Sequence, residues 1–315
     1  MQKLLITRPL PASVINAALA RFDVTLRDNT APLSAEELRI ALTDFDAVLP
    51  TLGDRFQADV FADVASPRAK ILANFGVGFN HIDVTAARAA GLAVTNTPGA
   101  VTDATADIAM TLILMTARRA GEGERLVRKG EWSGWHPVQM LGMHVTGRTV
   151  GIVGYGRIGK AIAQRCHYGF GMKVLFHNRS TVADAGFARQ APLAEVMASD
   201  IVVVAVPGGK ETHHLINAET LAMMQAHAIF INIARGDVVD EAALIAALHS
   251  GRIAGAGLDV YEHEPHIPPA LLTLENTTLL PHLGTAALEV RENMGMMAIA
   301  NLIAHLDGAP LPNPV

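Results

Sequence analysis

Thr149–Ala163 reads TVGIVGYGRIGKAIA: an apolar strand-like run, a glycine turn and the opening of a helix. Gly154, Gly156 and Gly159 set a G-x-G-x-x-G spacing, and each has a physical task in a dinucleotide site. The first allows the sharp turn out of the strand. The second lets the backbone approach a pyrophosphate, and the third lets helix and strand pack closely. The helix then offers unpaired N–H groups and a partial positive charge to the phosphates. A plain glycine-rich turn could show the same spacing. The context favours a nucleotide, because Val150, Ile152 and Val153 precede the turn and Ile158, Ala161 and Ile162 follow at helical spacing. The turn residues Tyr155, Arg157 and Ile158 therefore join the glycines as candidate cofactor contacts.

The next strand-like run, Met172–His177, ends in Asn178-Arg179-Ser180. A site for NAD usually places Asp or Glu about 20 residues beyond the glycines, to bind the ribose 2′-hydroxyl. Asn178 stands where that carboxylate would be. A carboxylate repels a 2′-phosphate, whereas Arg179 and the Ser180 hydroxyl can bind one. The expectation is NADP, with NADPH preferred over NADH, although a solvated turn would also explain these three residues. Arg157 adds positive charge near the phosphates.

The 315 residues are enough for two domains. Half of them are hydrophobic and 17% are charged, which favours a large core over disorder. The net charge of −5 argues against a general nucleic-acid binder. The single cysteine, Cys166, excludes an intramolecular disulfide and falls on the inner face of the helix after the glycine turn. Met1-Gln2-Lys3-Leu4 leads into a short strand-like run rather than a leader. The longest apolar stretch, near Ile108–Thr116, is too short to span a bilayer. A cytoplasmic protein with no membrane or nucleic-acid partner is expected.

Ahead of the glycine turn, strand patterns at Lys3–Thr7, Val24–Arg27, Ala47–Leu49, Ile71–Asn74 and Ala93–Asn96 alternate with helical ones. One helix opens at Ser34 with Glu37 three residues on, a capping-box signature. Another runs from Val84 to Ala90 and stops at Gly91. Such alternation implies a parallel sheet with helices on both faces. Thr102–Arg119 reads as a long apolar helix, and Glu122–Met143 as a polar stretch holding Trp132 and Trp135. Further strands are read at Ile201–Val206, Ile229–Ile233, Gly257–Val260 and Thr278–Leu280, with a final helix over Glu289–His305. The fingerprint normally opens a nucleotide domain. A complete α/β unit therefore precedes that domain here.

Hydride transfer to a 2-oxo acid needs a cation for the carboxylate, a proton donor for the carbonyl oxygen, and a carboxylate to tune that donor. Arg235 leaves the strand of INIARGDVVDE and could grip a carboxylate bidentately; an ordinary surface ion pair is the alternative. His282, in LLPHLG, suits proton donation near neutral pH. A lone histidine in a turn is more often structural, and the chain has 13, so the case rests on a partner. Glu264, in GLDVYEHEP, is the candidate: bonded to one ring nitrogen it would fix the tautomer and stabilise the imidazolium. Glu262 competes for that place. His263 and His266 lack a closed ligand set, so no metal is expected. In the first unit, the turn Asn74-Phe75-Gly76-Val77-Gly78 could cradle a carboxylate on its N–H groups, or be a simple tight turn.

Taken together, ANFGVGFNHID, NTPGAVTDATADIAM, VGIVGYGRIG, INIARGDVVDE, GLDVYEHEP and PHLGTA resemble the D-isomer-specific 2-hydroxyacid dehydrogenase family over almost the whole chain. Within it the resemblance is to NADPH-dependent glyoxylate/hydroxypyruvate reductases. It implies an α/β fold of two Rossmann-like domains with parallel sheets and an active-site cleft between them. Residues 1–98 and 286–315 would bind substrate, and residues 99–285 the dinucleotide. It further implies Arg235 as the substrate-orienting cation, His282 as acid/base and Glu264 as its partner. Phe75, Val77 and Gly78 would bind substrate. Thr105, Val206, Pro207, Thr212, Ile233, Asp259 and Gly284 would join the turn residues around the cofactor. The family is usually dimeric, and Trp135 matches a tryptophan that reaches the partner subunit's substrate pocket. The implied reaction is NADPH-dependent reduction of a small 2-oxo acid such as glyoxylate or hydroxypyruvate. A ketogluconate or phenylpyruvate is another substrate choice, with Phe75 and Met140 on the pocket loop. A dinucleotide-sensing regulator on the same scaffold is the reading from a different class.

Overall fold

The structure, a computed structural model, describes residues 1–315. The chain divides into two compact units, Met1–Val101 with Thr285–Val315, and Thr102–Gly284. Each is built on one parallel sheet.

In the first unit the strands are β1 (Lys3–Ile6), β2 (Asp23–Leu26), β3 (Ala47–Leu49), β4 (Ile71–Ala73) and β5 (Ala93–Thr95), in the order β2-β1-β3-β4-β5. This is a doubly wound order. The strands are short; β3 and β4 are wholly apolar and buried, whereas the edge strand β2 is largely exposed. One helix of the unit, Ala35–Asp44, has the capping box expected from the sequence, with Ser34 and Glu37 closing both reciprocal bonds. The last helix of the chain, Leu288–Leu306, returns to this unit. Its Ala298, Ile299 and Leu302 join the cluster of Leu4, Ile6 and Val14. Helical periodicity alone does not say which unit receives that helix.

The second unit has seven strands: β6 (Thr149–Val153), β7 (Lys173–His177), β8 (Arg189–Gln190), β9 (Ile201–Val204), β10 (Ile229–Asn232), β11 (Gly255–Leu258) and β12 (Thr277–Leu279). Their order is β12-β11-β10-β9-β6-β7-β8. Strand β6 carries the glycine turn and has β7 on one side and β9 on the other. The chain reverses its direction of growth at this point, and ligands of open α/β sheets bind at such a point, beyond the carboxyl ends of the strands.

Three elements differ from the sequence reading. The two-residue edge strand β8 is absent from it, because a pair of polar residues carries no apolar run. Strand β11 begins two residues earlier than expected, at Gly255. A side chain at Gly255 would lie 2.7 Å from the Asn276 carbonyl oxygen and 3.2 Å from the Thr116 methyl group. Glycine is required by that packing, yet it carries no apolar signal. The stretch read as polar contains a helix, Ala120–Arg128, with no buried residue. Gly121 and Gly123 lower its helix propensity, and it lacks the apolar core face that would announce it. No helix is long and apolar enough to cross a membrane.

Candidate active site

The glycine turn has the shape a dinucleotide needs. Gly154 has φ +100°, and a Cβ there would lie 2.7 Å from the Ala205 carbonyl oxygen. A Cβ at Gly159 would lie 2.1 Å from the Gly154 oxygen, so the protein itself excludes a side chain at both positions. Gly156 is different: a Cβ there meets nothing within 4 Å. Its bareness serves no packing within the chain and leaves the backbone open to an incoming group. The helix that follows, Arg157–Gln164, has no side-chain cap and no acidic residue in its first turn. Its first N–H groups are free for phosphate oxygens. Tyr155 is buried and stacks on Phe176 at 3.8 Å, so it faces the turn only through its backbone.

Asn178, Arg179 and Ser180 follow β7 at the same edge. The Asn178 side chain donates to the Ser180 carbonyl and hydroxyl oxygens at 3.2 and 3.3 Å. Gln190 donates to the Asn178 and Ser180 carbonyls at 3.3 and 3.0 Å and braces the turn from β8. The Arg179 side chain is exposed and pairs with Glu211. On the other side of β6, the Thr212 hydroxyl donates to the Pro207 carbonyl at 2.7 Å and fixes the loop after β9. Val206 is half-buried there, and Pro207 and Arg157 are exposed.

Arg235, Glu264 and His282 leave the ends of β10, β11 and β12. His282 Nδ1 lies 2.9 Å from Glu264 Oε2. This bond leaves Nε2 as the ring atom available to a substrate. Glu264 Oε1 accepts the Tyr261 N–H at 3.1 Å. Burial pushes the Glu264 carboxyl up, but the His282 hydrogen bond and charge, the Tyr261 N–H and the Arg235 charge outweigh it. The carboxyl ends below its ordinary range. Glu262 is engaged elsewhere: Oε1 bonds to His214 Nε2 at 2.7 Å and Oε2 accepts the Glu241 N–H at 3.3 Å. The competition between the two glutamates for His282 is thus resolved in favour of Glu264. His213, His214 and Glu262 bring three ligand-type atoms within 4.8 Å of one another, a different set from His263 and His266.

His282 has φ +56°, a left-handed conformation uncommon for a residue with a side chain. Asp259 enforces it. The carboxylate accepts the N–H groups of Leu283 and Gly284 at 2.6 and 2.8 Å, and the Asp259 carbonyl accepts that of His282 at 3.0 Å. Burial raises the Asp259 carboxyl, opposed by those N–H groups and the His282 charge. The buried Thr105 hydroxyl donates to the Gly284 carbonyl at 3.2 Å on the same loop.

Arg235 is half-buried and makes no ion pair. Its Nη1 donates to the Ala234 carbonyl at 2.7 Å. Burial lowers its pKa, with Glu264 and Asp237 opposing. Arginine stays protonated regardless, so the site presents a cation whose remaining donors are free for an anion. Its turn is held by Asn232, buried at the end of β10 beside Ile233, which accepts the Ala234 N–H and donates to the Arg235 carbonyl, both at 3.0 Å. A Cβ at Gly236 would lie 1.8 Å from Tyr261 backbone, so the Arg235 turn and the Glu264 segment touch directly. Asn232 and Tyr261 escape the sequence reading. The available signal is a polar residue closing an apolar strand, since a buried amide must have partners.

In the first unit, Phe75, Val77 and Gly78 are half-buried. Asn74 donates to the Gly76 and Gly78 carbonyls at 3.0 Å and Asn96 to the Val77 carbonyl at 2.8 Å. The Val77 and Gly78 N–H groups make no hydrogen bond within the chain. Trp135 is 80% exposed, on the segment after the helix Ala120–Arg128.

The profile of the D-isomer specific 2-hydroxyacid dehydrogenase, NAD binding domain family matches residues 110–284. A glyoxylate reductase of Thermococcus onnurineus is 45% identical over 99% of this chain and 95% of its own. A crystal structure of a Thermus thermophilus protein superposes with a TM-score of 0.92, at 39% identity over 99% of both chains. That of an NADPH-dependent glyoxylate/hydroxypyruvate reductase from Sinorhizobium meliloti, in complex with NADP and malonate, gives 0.87 at 35% identity, covering 100% of this chain and 96% of that one. The chain belongs to the D-isomer specific 2-hydroxyacid dehydrogenase family, enzymes that use a nicotinamide dinucleotide.

Proposed function

We propose that this protein is an NADPH-dependent reductase of small 2-oxo acids, with glyoxylate and hydroxypyruvate as its substrates. The observation that carries the chemistry is the His282–Glu264 pair beside an Arg235 free of any ion pair. The names of its relatives support the substrate class. Asn178 in place of a carboxylate, followed by Arg179, supports NADP.

The cofactor, when bound, supplies hydride to the substrate carbonyl carbon. The remaining work falls to the chain. Arg235 holds the substrate carboxylate and stabilises negative charge growing on the adjacent oxygen. Protonated His282 donates from Nε2 to that oxygen. Glu264, held ionised by its surroundings, balances the imidazolium and fixes its tautomer. Gly154, Gly156, Gly159 and the helix they open would hold the pyrophosphate. Thr105, Val206, Pro207, Thr212, Ile233, Asp259 and Gly284 belong to the same binding edge.

For the first unit the proposal is a substrate-binding role, carried by the free N–H groups of Val77 and Gly78. A homodimer is also proposed, through the surface bearing Trp135. Val127, Trp132, Val138 and Leu141 are exposed with it, and a concentration of exposed apolar side chains marks an association surface.

The test is a panel of 2-oxo acids with NADPH and with NADH, on the wild type and Arg179→Ala. Turnover of glyoxylate or hydroxypyruvate is expected, with NADPH favoured and that preference lost in the variant. Preferred turnover of a ketogluconate or phenylpyruvate would overturn the substrate assignment. No turnover of any 2-oxo acid would overturn the enzymatic reading in favour of a dinucleotide-sensing regulator.

A further inference from the structure

The parallel register places the carboxyl ends of β7 and β9 on either side of β6, with Val153 opposite both His177 and Val204. The loops after β7 and β9 therefore flank the glycine turn. Arg179 stands on the first loop and Glu211 on the second, 32 residues apart in the chain, and their side chains form an ion pair. Both loops are braced from within. Gln190 ties the Arg179 turn through the Asn178 and Ser180 carbonyls. The Glu211 turn is closed by the Thr212 and His213 N–H groups, which both donate to the Gly209 carbonyl at 3.0 Å. The pairing thus follows from where two ordered backbones bring the residues.

We propose that Glu211 is a second determinant of cofactor choice, acting against the 2′-phosphate that Arg179 would bind. This rests on the reading of Arg179 given above. The carboxylate missing at Asn178 is supplied from the neighbouring loop. A 2′-phosphate reaching Arg179 displaces Glu211 and then faces its negative charge. A ribose 2′-hydroxyl meets no such repulsion and can donate to the same carboxylate. Glu211 thereby narrows the preference that Arg179 creates and keeps NADH usable.

Across roughly 6 Å of a well-solvated surface, a carboxylate opposing a phosphate of nearly two charges weakens binding about five- to tenfold at low salt. Screening erodes this as ionic strength rises, since the Debye length is only about 3 Å at 1 M.

The experiment is the dissociation constant of NADPH and of NADH, by fluorescence titration without substrate, for the wild type, Glu211→Gln and Arg179→Ala, at low and high salt. Both side chains are exposed, so neither change touches the core. In Glu211→Gln, NADPH should tighten about five- to tenfold while NADH stays level or weakens, and the NADPH gain should shrink at high salt. Unchanged or weaker NADPH binding in Glu211→Gln would overturn the proposal. If Arg179→Ala still weakened NADPH selectively, the reading of Arg179 would survive that failure. If Arg179→Ala weakened both cofactors equally, that reading would fall. The proposal, which rests on that reading, would fall with it.

Discussion

Gly156 and Gly159 give opposite expectations for one and the same substitution. At Gly159 a methyl would sit 2.1 Å from the Gly154 carbonyl oxygen. Relief requires moving backbone by about 1 Å, and overpacking of this kind costs about 1–3 kcal/mol. For a unit of this size each kcal/mol lowers the melting temperature by about 2–4 °C. Gly159→Ala should therefore melt roughly 2–12 °C lower with no cofactor present. At Gly156 the same methyl meets nothing within 4 Å, and the backbone is extended at φ −80°, ψ −161°. Alanine takes that conformation without strain and orders the unfolded chain, so free Gly156→Ala should melt at or slightly above the wild-type temperature. The open space is where the pyrophosphate should lie. A methyl there costs about 1–3 kcal/mol of binding, or roughly 5- to 150-fold in Kd. Thermal melts of the free proteins and fluorescence titration with NADPH read the two effects separately. Wild-type affinity in Gly156→Ala would refute the argument, because the bareness of Gly156 would then serve no ligand.

Three further outcomes follow from the other strand ends. Glu264 has its carboxyl lowered in the folded protein, so the stability it contributes is present above the ordinary carboxyl range and lost as pH falls into the acid region; melts of wild type and Glu264→Gln should differ near neutrality and converge in acid, and a constant difference would contradict the assignment. Arg235→Lys replaces a two-pronged grip by a point charge, so KM for the 2-oxo acid should rise about tenfold or more in steady-state assays, whereas an unchanged KM would remove Arg235 from the carboxylate. The buried Cys166 thiol is pushed up to about 12 by burial, so a thiol reagent such as Ellman's should leave the native protein unmodified at neutral pH and react fully only after unfolding; fast native labelling would contradict its burial.

The two parallel sheets were legible through their interior strands, which are buried and read as apolar runs between turn residues; the polar edge strand β8 gave no such run. The glycine turn was legible for a related reason: two of its glycines are demanded by backbone contact. What escaped was set by packing across the sequence. The start of β11 was hidden because the Asn276 carbonyl leaves no room for a side chain at Gly255, and glycine carries no apolar signal. The return of the last helix to the first unit depends on which apolar face finds which, and periodicity does not encode that. At the site, the positions of Arg235, Glu264 and His282 at strand ends were legible, and the structure brings His282 and Glu264 into contact. The sequence points to Glu264 as the partner, with Glu262 as competitor; what needed three dimensions is that His214, distant in sequence, draws Glu262 aside. The supports Asn232, Asp259 and Tyr261 were the hardest to assign. Their partners are mostly backbone groups, and a sequence pattern does not show which buried polar residue meets which N–H.

In the proposed reaction this chain moves hydride from a reduced nicotinamide to the carbonyl carbon of a small 2-oxo acid, with His282 supplying the proton. The most direct test uses NADPH carrying deuterium at the transferred position of the nicotinamide, hydroxypyruvate as acceptor, and mass spectrometry with chiral separation of the product. The expected product is the D-2-hydroxy acid with one deuterium at C2, most of it lost in His282→Ala. A product without deuterium, or undiminished labelled product from the variant, would contradict that reaction.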